Sequence, residues 1–338
     1  MPMDVLVCSL ALLSGVIGAG FASGREILRF FAGHGPASLA AALCACAALC
    51  WLCLRLCSRM ERCGVSSLGA LCMRCFGGGP GRMAQGLFFL LSAVTGGAML
   101  AACAELAALV LPVRHAYALG MAATLLVSVP LASRGLAGLA APGAALCALL
   151  PAMLLRLYAL PPGEACFLPT MTPDVPVRAA VDGFAYAALN AAMISGALPA
   201  LLRLPPRRRL RAALLFAAVF CGLLLGGVAV CRRHLPALLH RPLPFVHLSR
   251  RLGPGGYLLL AACMYAAAQS TLCAMLLSLA RLAPRCRLSW AIPGACCLLF
   301  ALIGFGPIVE SGYPVLGMLC AGLLLLLCFA HCDSPSAR

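Results

Sequence analysis

Two carboxylates interrupt long apolar runs of this chain and are candidates for proton-transfer chemistry. Glu105 lies in the third apolar run along the chain, and Asp182 lies early in the sixth. A carboxylate inside a membrane helix is costly, and it usually serves as a proton carrier or as a counter-ion. The alternative is an ion pair with an arginine near the same end of the helix, such as Arg156 or Arg178.

Among the uncharged polar residues within apolar runs, three are candidates for binding a solute or an ion. Asn190 falls near the middle of the sixth run, where a bare amide is costly without partners. It either faces a bound solute or hydrogen-bonds to a neighbouring helix. Ser270 and Thr271 are adjacent hydroxyls in the eighth run, and they either supply oxygen ligands to a cation or bond to their own helix four residues back.

The segment 18–24, Gly-Ala-Gly-Phe-Ala-Ser-Gly, joins two apolar stretches. A continuous helix over residues 5–33 would be about 43 Å long at ~1.5 Å per residue, whereas the hydrocarbon core is about 30 Å thick. Ser23 and Glu26 have the Ser-x-x-Glu spacing of a capping box, so we expect a break, with Glu26 capping the second half-helix. Half-helices that meet at mid-membrane form the binding site of many secondary transporters. The alternative is a structural helix kinked at its glycines.

The composition is that of a membrane protein. Of the 338 residues, 63% are hydrophobic, and the mean hydropathy is +1.03, far outside the range of soluble domains. The net charge of +16 comes from arginine, with no lysine, and it lies mostly between apolar runs. Such a distribution reflects membrane topology rather than nucleic-acid binding. The expected partners are therefore the lipid bilayer and a small-molecule solute, and no nucleic acid.

Motifs for nucleotide or hydrolytic chemistry are missing from the sequence. A Walker A motif requires lysine, and neither His-Glu-x-x-His nor Gly-x-Ser-x-Gly occurs. We therefore expect no enzymatic activity and no cofactor, other than Na⁺ or H⁺ as a coupling ion. Four of the 22 cysteines share one face of the second apolar run, and we interpret them as small buried residues rather than as a Cu(I) path; they are Cys46, Cys50, Cys53 and Cys57.

Apolar runs and turn residues predict an all-α membrane protein of about ten spans, with breaks in the first and sixth. The sixth break is expected near Ser195 and Pro199, since proline disfavours helical geometry before it. Five spans lie on each side of a polar linker, 161–176, so the halves, about 1–160 and 177–331, form an inverted repeat in one membrane domain. The predicted spans are 5–33, 37–58, 83–111, 116–133, 137–160, 177–202, 212–231, 254–280, 289–308 and 313–331.

The distribution of arginine predicts the orientation. With the N-terminus inside, the predicted inner segments hold fifteen of the 25 arginines. The short outer segments hold five, and the long loop 232–253, which counts less, holds the other five. We therefore expect a multi-pass protein of the cytoplasmic membrane with both termini in the cytoplasm.

The block Gly-Ala-Gly-Phe-Ala-Ser-Gly-Arg-Glu-Ile at 18–27, followed by Phe30, Phe31 and Gly33, resembles the YkvI-like bacterial membrane proteins. These are similar to the amino acid–polyamine–cation transporter superfamily, so the resemblance implies a LeuT-type five-plus-five inverted repeat. At Arg25 the family usually has an amide.

The resemblance also implies two sites. In the superfamily a solute carboxylate is held where helix 1 unwinds, opposite helix 6. A sodium ion lies between helix 1 carbonyls and helix 8 hydroxyls, which corresponds here to Gly18 and Ala19 facing Ser270 and Thr271. The residues implied for solute binding are Gly18, Ala19, Gly20, Ser23, Gly24, Tyr186, Asn190 and Ser195.

The function expected from these features is ion-coupled secondary transport of a small zwitterion, such as an amino acid, by alternating access. The second hypothesis is a ligand sensor on the same fold, similar to a germinant-receptor subunit, that translocates nothing. Sodium is favoured as the coupling ion, with a proton carried by Glu105 or Asp182 as the alternative.

Overall fold

A computed structural model gives the structure of residues 2–134, 144–161, 176–282 and 290–330, where all regular structure is helical. The first residues of the predicted span 137–160, nearly all of the linker 161–176 and the chain ends 1 and 331–338 lie outside these ranges, as does the start of the ninth predicted span. In chain order the helices are α1 Met3–Val16, α2 Ala19–Ser23, α3 Arg25–Phe30, α4 Ala37–Arg62, α5 Leu68–Phe76, α6 Gly78–Val110, α7 Ala116–Ser133, α8 Ala144–Tyr158, α9 Pro176–Met193, α10 Leu198–Leu202, α11 Pro206–Arg233, α12 Leu235–Leu238, α13 Pro244–Ser249, α14 Gly253–Leu282, α15 Ala291–Ala301, α16 Phe305–Pro307 and α17 Tyr313–Phe329.

Seven helical stretches are long and apolar enough to cross a membrane, which confirms the prediction of an all-α membrane protein. Large apolar side chains such as Leu126, Leu302 and Phe329 are exposed on the outside of the bundle, as lipid contact requires. Three shorter apolar helices, Met3–Val16, Leu149–Tyr158 and Ala291–Ala301, coincide with the other predicted spans. The count of ten spans and the inverted repeat stay predictions.

The first predicted span is broken twice. Helix α1 ends at Val16, Gly18 is extended with φ −88° and ψ −175°, and α2 begins at Ala19. Gly24 then separates α2 from α3 in the left-handed conformation, with φ +80°, which favours glycine. The predicted break is therefore present.

The predicted capping box is wrong. The Ser23 hydroxyl accepts a hydrogen bond from the N–H of Arg25 at 3.2 Å and donates to the carbonyl of Gly20 at 2.8 Å. No side chain caps α3, whose N-cap residue is Gly24. The Glu26 side chain instead folds back against Gly20 in α2. The left-handed glycine redirects the chain, so the carboxylate is turned away from the helix start.

The sixth predicted span changes geometry where it was expected to. Helix α9 ends at Met193, a 3₁₀ turn occupies Ile194–Ala197, and α10 continues to Leu202. Pro199 is in the first turn of α10, where its missing N–H needs no partner. The helix is thus tightened at this point rather than unwound.

The bundle is built around α6, which packs against α7, α14 and α15. Helix α4 packs against α9 and α11, and α9 packs against α17. Ion pairs and hydrogen bonds join the start of α1 to α11, α11 to the end of α4, and α4 to Ala330 after α17. We call this the terminal end of the bundle, since both described chain ends lie there, and the opposite end, at His34, the cavity end.

Candidate functional site

The two helix interruptions lie next to each other. A Cβ added to Gly15, near the end of α1, would lie 2.8 Å from Cγ2 of Ile194, the first residue of the 3₁₀ turn. The absence of a side chain at Gly15 therefore lets the two helices approach at the level where both lose regular α geometry. The break in the first predicted span therefore lies next to the 3₁₀ turn of the sixth.

Gly18 lies beside helix α14. A Cβ added to Gly18 would lie 3.3 Å from Oγ1 of Thr271, a buried hydroxyl that donates to the carbonyl of Ala267 at 3.0 Å. Gly18 and Thr271 are therefore neighbours, and the hydroxyl bonds to its own helix, which was the alternative; the sodium site between them stays a prediction. Ser270 is exposed instead, so the structure places only one of the two predicted hydroxyls at the break.

The backbone around the first break is largely filled by the protein itself. The N–H of Gly18 donates to Val16 at 2.9 Å, and its carbonyl accepts from Ala22 at 2.9 Å. Gly20 faces the Glu26 carboxylate, and a Cβ on Gly24 would lie 2.7 Å from the ring of Phe245 in α13. Ala19 begins α2 between these positions. The predicted solute segment is therefore closed over by Glu26 and Phe245.

The predicted residues of the sixth span are packed against this closed segment. Tyr186 is fully buried, with its ring 5.2 Å from Phe30 and 5.1 Å from Phe31, centroid to centroid. The Asn190 amide donates to the carbonyl of Tyr186 at 2.9 Å, within its own helix. This hydrogen bond is made neither to a bound solute nor to a neighbouring helix, which were the two predicted partners. Ser195 is half-buried in the 3₁₀ turn.

A cavity of about 220 Å³ opens at the cavity end. Drug-sized ligands use pockets of about 300–1,000 Å³, so this one suits a smaller solute. Basic groups outnumber acidic ones, which favours a solute with a carboxylate. The charged lining consists of Arg25, Arg29, His34, Arg178, Asp182 and Glu310.

Asp182 belongs to this cavity. Its carboxylate lies 3.1 Å from Nε2 of His34 and 4.0 Å from the guanidinium of Arg29. The sequence suggested an ion pair as the alternative, with Arg156 or Arg178 as the partner. Arg178 lines the same cavity but forms no ion pair with Asp182, and Arg156 is exposed. Asp182 is therefore a paired group at the cavity mouth rather than an isolated buried carboxylate.

Arg25 closes one wall of the cavity. Its guanidinium donates to the carbonyls of Leu239 and Arg241, each at 2.8 Å, and forms an ion pair with Glu310 in the π turn before α17. This single side chain, 8% exposed, thus joins the broken first helix to the α12–α13 loop and to α17. Sequence reasoning missed Glu310, although a carboxylate close to an apolar run is a recognisable signal.

Glu105, the other predicted proton carrier, is only half-buried in α6. It lies near Tyr117 of α7, and no basic side chain of the described ranges lies within ion-pair distance of it. Glu105 is not among the residues that line the cavity.

The four cysteines of α4 share a buried face, as predicted. Two of the thiols point at carbonyl oxygens of neighbouring helices: Cys50 at Ala213, 3.7 Å away, and Cys57 at Leu198, 3.9 Å away. Within the described ranges, no three His, Cys, Asp or Glu side chains are grouped so as to hold a metal ion. These thiols serve helix packing.

In comparisons with known proteins, no family model and no curated protein matches the chain.

Proposed function

We propose that the protein is a secondary transporter that moves a small zwitterionic solute, such as an amino acid, by alternating access. The observation that carries the proposal is the contact between the two interruptions, at Gly15 and Ile194. Interrupted helices that meet inside a bundle provide a flexible point on each side of a solute. The resemblance to the amino acid–polyamine–cation transporters is consistent with this arrangement.

The cavity supports the choice of solute. It contains arginines for a carboxylate, and Asp182 and Glu310 for an ammonium group, at one end of the bundle. Both acidic groups are already paired with basic ones, so a zwitterion can exchange partners with them without leaving a charge unpaired. A solute with one charge would leave its counter-group uncompensated.

Ion pairs lie at both ends of the bundle. The Arg25–Glu310 pair lines the cavity at one end, and Arg208–Asp4 and Arg209–Glu61 tie the terminal end. Alternating access requires that one set of contacts opens while the other holds. We propose ten spans in the cytoplasmic membrane, with the terminal end in the cytoplasm, since most arginines of the predicted inner loops lie there.

A monovalent cation gradient is the proposed source of energy. The Gly18–Thr271 contact is the candidate for sodium, and Glu105 and Asp182 are the candidates for a proton. The hypothesis of a sensor differs in only one respect, since a sensor binds the solute and moves none.

Binding is tested on purified protein with a panel of amino acids, with and without sodium, followed by thermal shift. We expect at least one amino acid to raise the melting temperature. Gly20→Leu and Gly24→Leu should abolish that rise, because each side chain would fill space now taken by Glu26 or Phe245. Gly222→Leu is the control, because Gly222 is exposed and a Cβ there meets nothing within 4 Å. If Gly20→Leu and Gly24→Leu both show the same rise in melting temperature as wild type, the break is only a structural kink.

A further inference from the structure

Glu26 is a buried carboxylate that does not cap a helix, so its burial needs another explanation. It is 4% exposed, and a Cβ on Gly20 would overlap its Oε1 atom. The carboxylate therefore lies directly over the backbone of α2, between the two breaks of the first span. Burial of a charged carboxylate at such a position is costly without a compensating group.

Three buried hydroxyl groups lie near this carboxylate. The phenols of Tyr186 and Tyr313 lie close to Glu26, and Thr95 lies close to Tyr313. All three residues are fully buried, and none of their hydroxyl oxygens completes a hydrogen bond within the described residues. Buried hydroxyls are normally satisfied, so the Glu26 carboxyl group is the available partner for the two phenols.

Among the residues that the structure describes, no basic side chain forms an ion pair with Glu26. The basic residues nearest in sequence are engaged at the cavity end, where Arg25 pairs with Glu310, and Arg29 and His34 face Asp182. The titratable groups that face the carboxylate are the two tyrosines, both neutral as phenols. The compensation must therefore come from a bound cation.

We propose that Glu26 is a proton-binding site, in which Tyr186 and Tyr313 stabilise both protonation states. A proton forms one O–H bond with a carboxylate oxygen, and the neutral carboxyl group donates to a phenol oxygen. When the proton leaves, the carboxylate accepts from the same phenol instead. A metal cation would require several oxygens converging on one point, whereas the Gly20 contact leaves the carboxylate no free space on that side.

The position of Glu26 links protonation to movement. The residue is two positions after Gly24, whose left-handed backbone joins α2 to α3. A change in the charge of Glu26 alters its contact with Gly20, and so biases the angle between these two helices. Resting on the proposed function, this makes the proton the coupling ion and Glu26, rather than Glu105 or Asp182, its carrier.

Infrared difference spectroscopy on the purified full-length protein tests the site without any solute. Between alkaline and acidic buffer we expect the carbonyl stretch of a neutral carboxyl group, which shifts in heavy water. This band should be lost in Glu26→Gln, shifted in Tyr186→Phe and unchanged in Glu105→Gln. Loss of the band in Glu105→Gln, with retention in Glu26→Gln, would overturn the proposal, as would suppression of the wild-type band by sodium. If Glu26→Gln does not fold, the carboxyl band of Tyr186→Phe decides: a shifted band supports the site, and an unshifted band contradicts it.

The coupling role is tested in proteoliposomes with a radiolabelled mixture of the protein amino acids. A gradient of about one pH unit supports up to about tenfold accumulation for one proton per solute. Wild-type protein should approach that ratio. Glu26→Gln should show no accumulation driven by the pH gradient, but it should still exchange labelled for unlabelled solute. Accumulation by Glu26→Gln equal to wild type would overturn the coupling role. Absence of exchange by wild-type protein would instead count against transport itself and leave the infrared result as the test of the site.

Discussion

Replacement of Gly24 by alanine tests the geometry of the first break most simply. Gly24 has φ +80°, and an added Cβ would lie 2.7 Å from two carbons of the Phe245 ring. The left-handed conformation costs an L-residue about 1–2 kcal/mol, and overpacking a closed site costs about 1–3 kcal/mol. Together, Gly24→Ala should reduce the free energy of unfolding by about 2–5 kcal/mol.

Gly222→Ala is the matched control. Gly222 lies in α11, its φ is not positive, and a Cβ there meets nothing within 4 Å. In a helix interior this change should stabilise by up to about 1 kcal/mol. The assay is thermal unfolding followed by the reaction of buried cysteines with a thiol-reactive fluorophore. Gly24→Ala should melt several degrees lower, roughly 4 °C or more. A melting temperature equal to or above that of Gly222→Ala would refute the left-handed break and its contact with Phe245.

Three further predictions concern other contacts. Thr271→Ala should destabilise by about 1 kcal/mol, since a buried hydrogen-bonded hydroxyl is lost, whereas the exposed Ser270→Ala should stay within about 0.5 kcal/mol of wild type; equal melting temperatures would contradict this placement. Arg25→Gln should speed hydrogen exchange of the α12–α13 segment, because two carbonyls lose their guanidinium partner, and unchanged exchange would show that Arg25 does not hold the loop. Amino acid uptake should stay largely intact when four α4 thiols are changed together to alanine, and a stoichiometric Cu(I) site lost in that variant would contradict the packing role; the thiols are Cys46, Cys50, Cys53 and Cys57.

The breaks were predictable because they follow from local properties. Helix length against membrane thickness, with the glycines of segment 18–24, places the first break. The weak points at Ser195 and Pro199 place the second. Sequence spacing also placed the four thiols of α4 on one face, since helical periodicity fixes that face.

The partners of the polar side chains were not predictable in the same way. The capping box failed because Gly24 adopts a left-handed conformation, which turns Glu26 towards Gly20. Ser270 and Thr271 are adjacent, so a rotation of about 100° per residue sends only one of them to the break. The pairs of Arg25 with Glu310 and of His34 with Asp182 join distant parts of the chain. Only the packing of the helices brings them together.

Solute exchange in proteoliposomes tests the central claim, that the adjacent breaks form a site with alternating access, most directly. Vesicles that contain purified protein are loaded with unlabelled amino acids and diluted into a radiolabelled mixture of the same compounds. We predict transient accumulation of label inside the vesicles. The accumulation should be absent in protein-free vesicles and in Gly20→Leu, and present in Gly222→Leu. A solute that raises the melting temperature of the protein, but whose label never enters the vesicles, would contradict transport and identify the protein as a sensor.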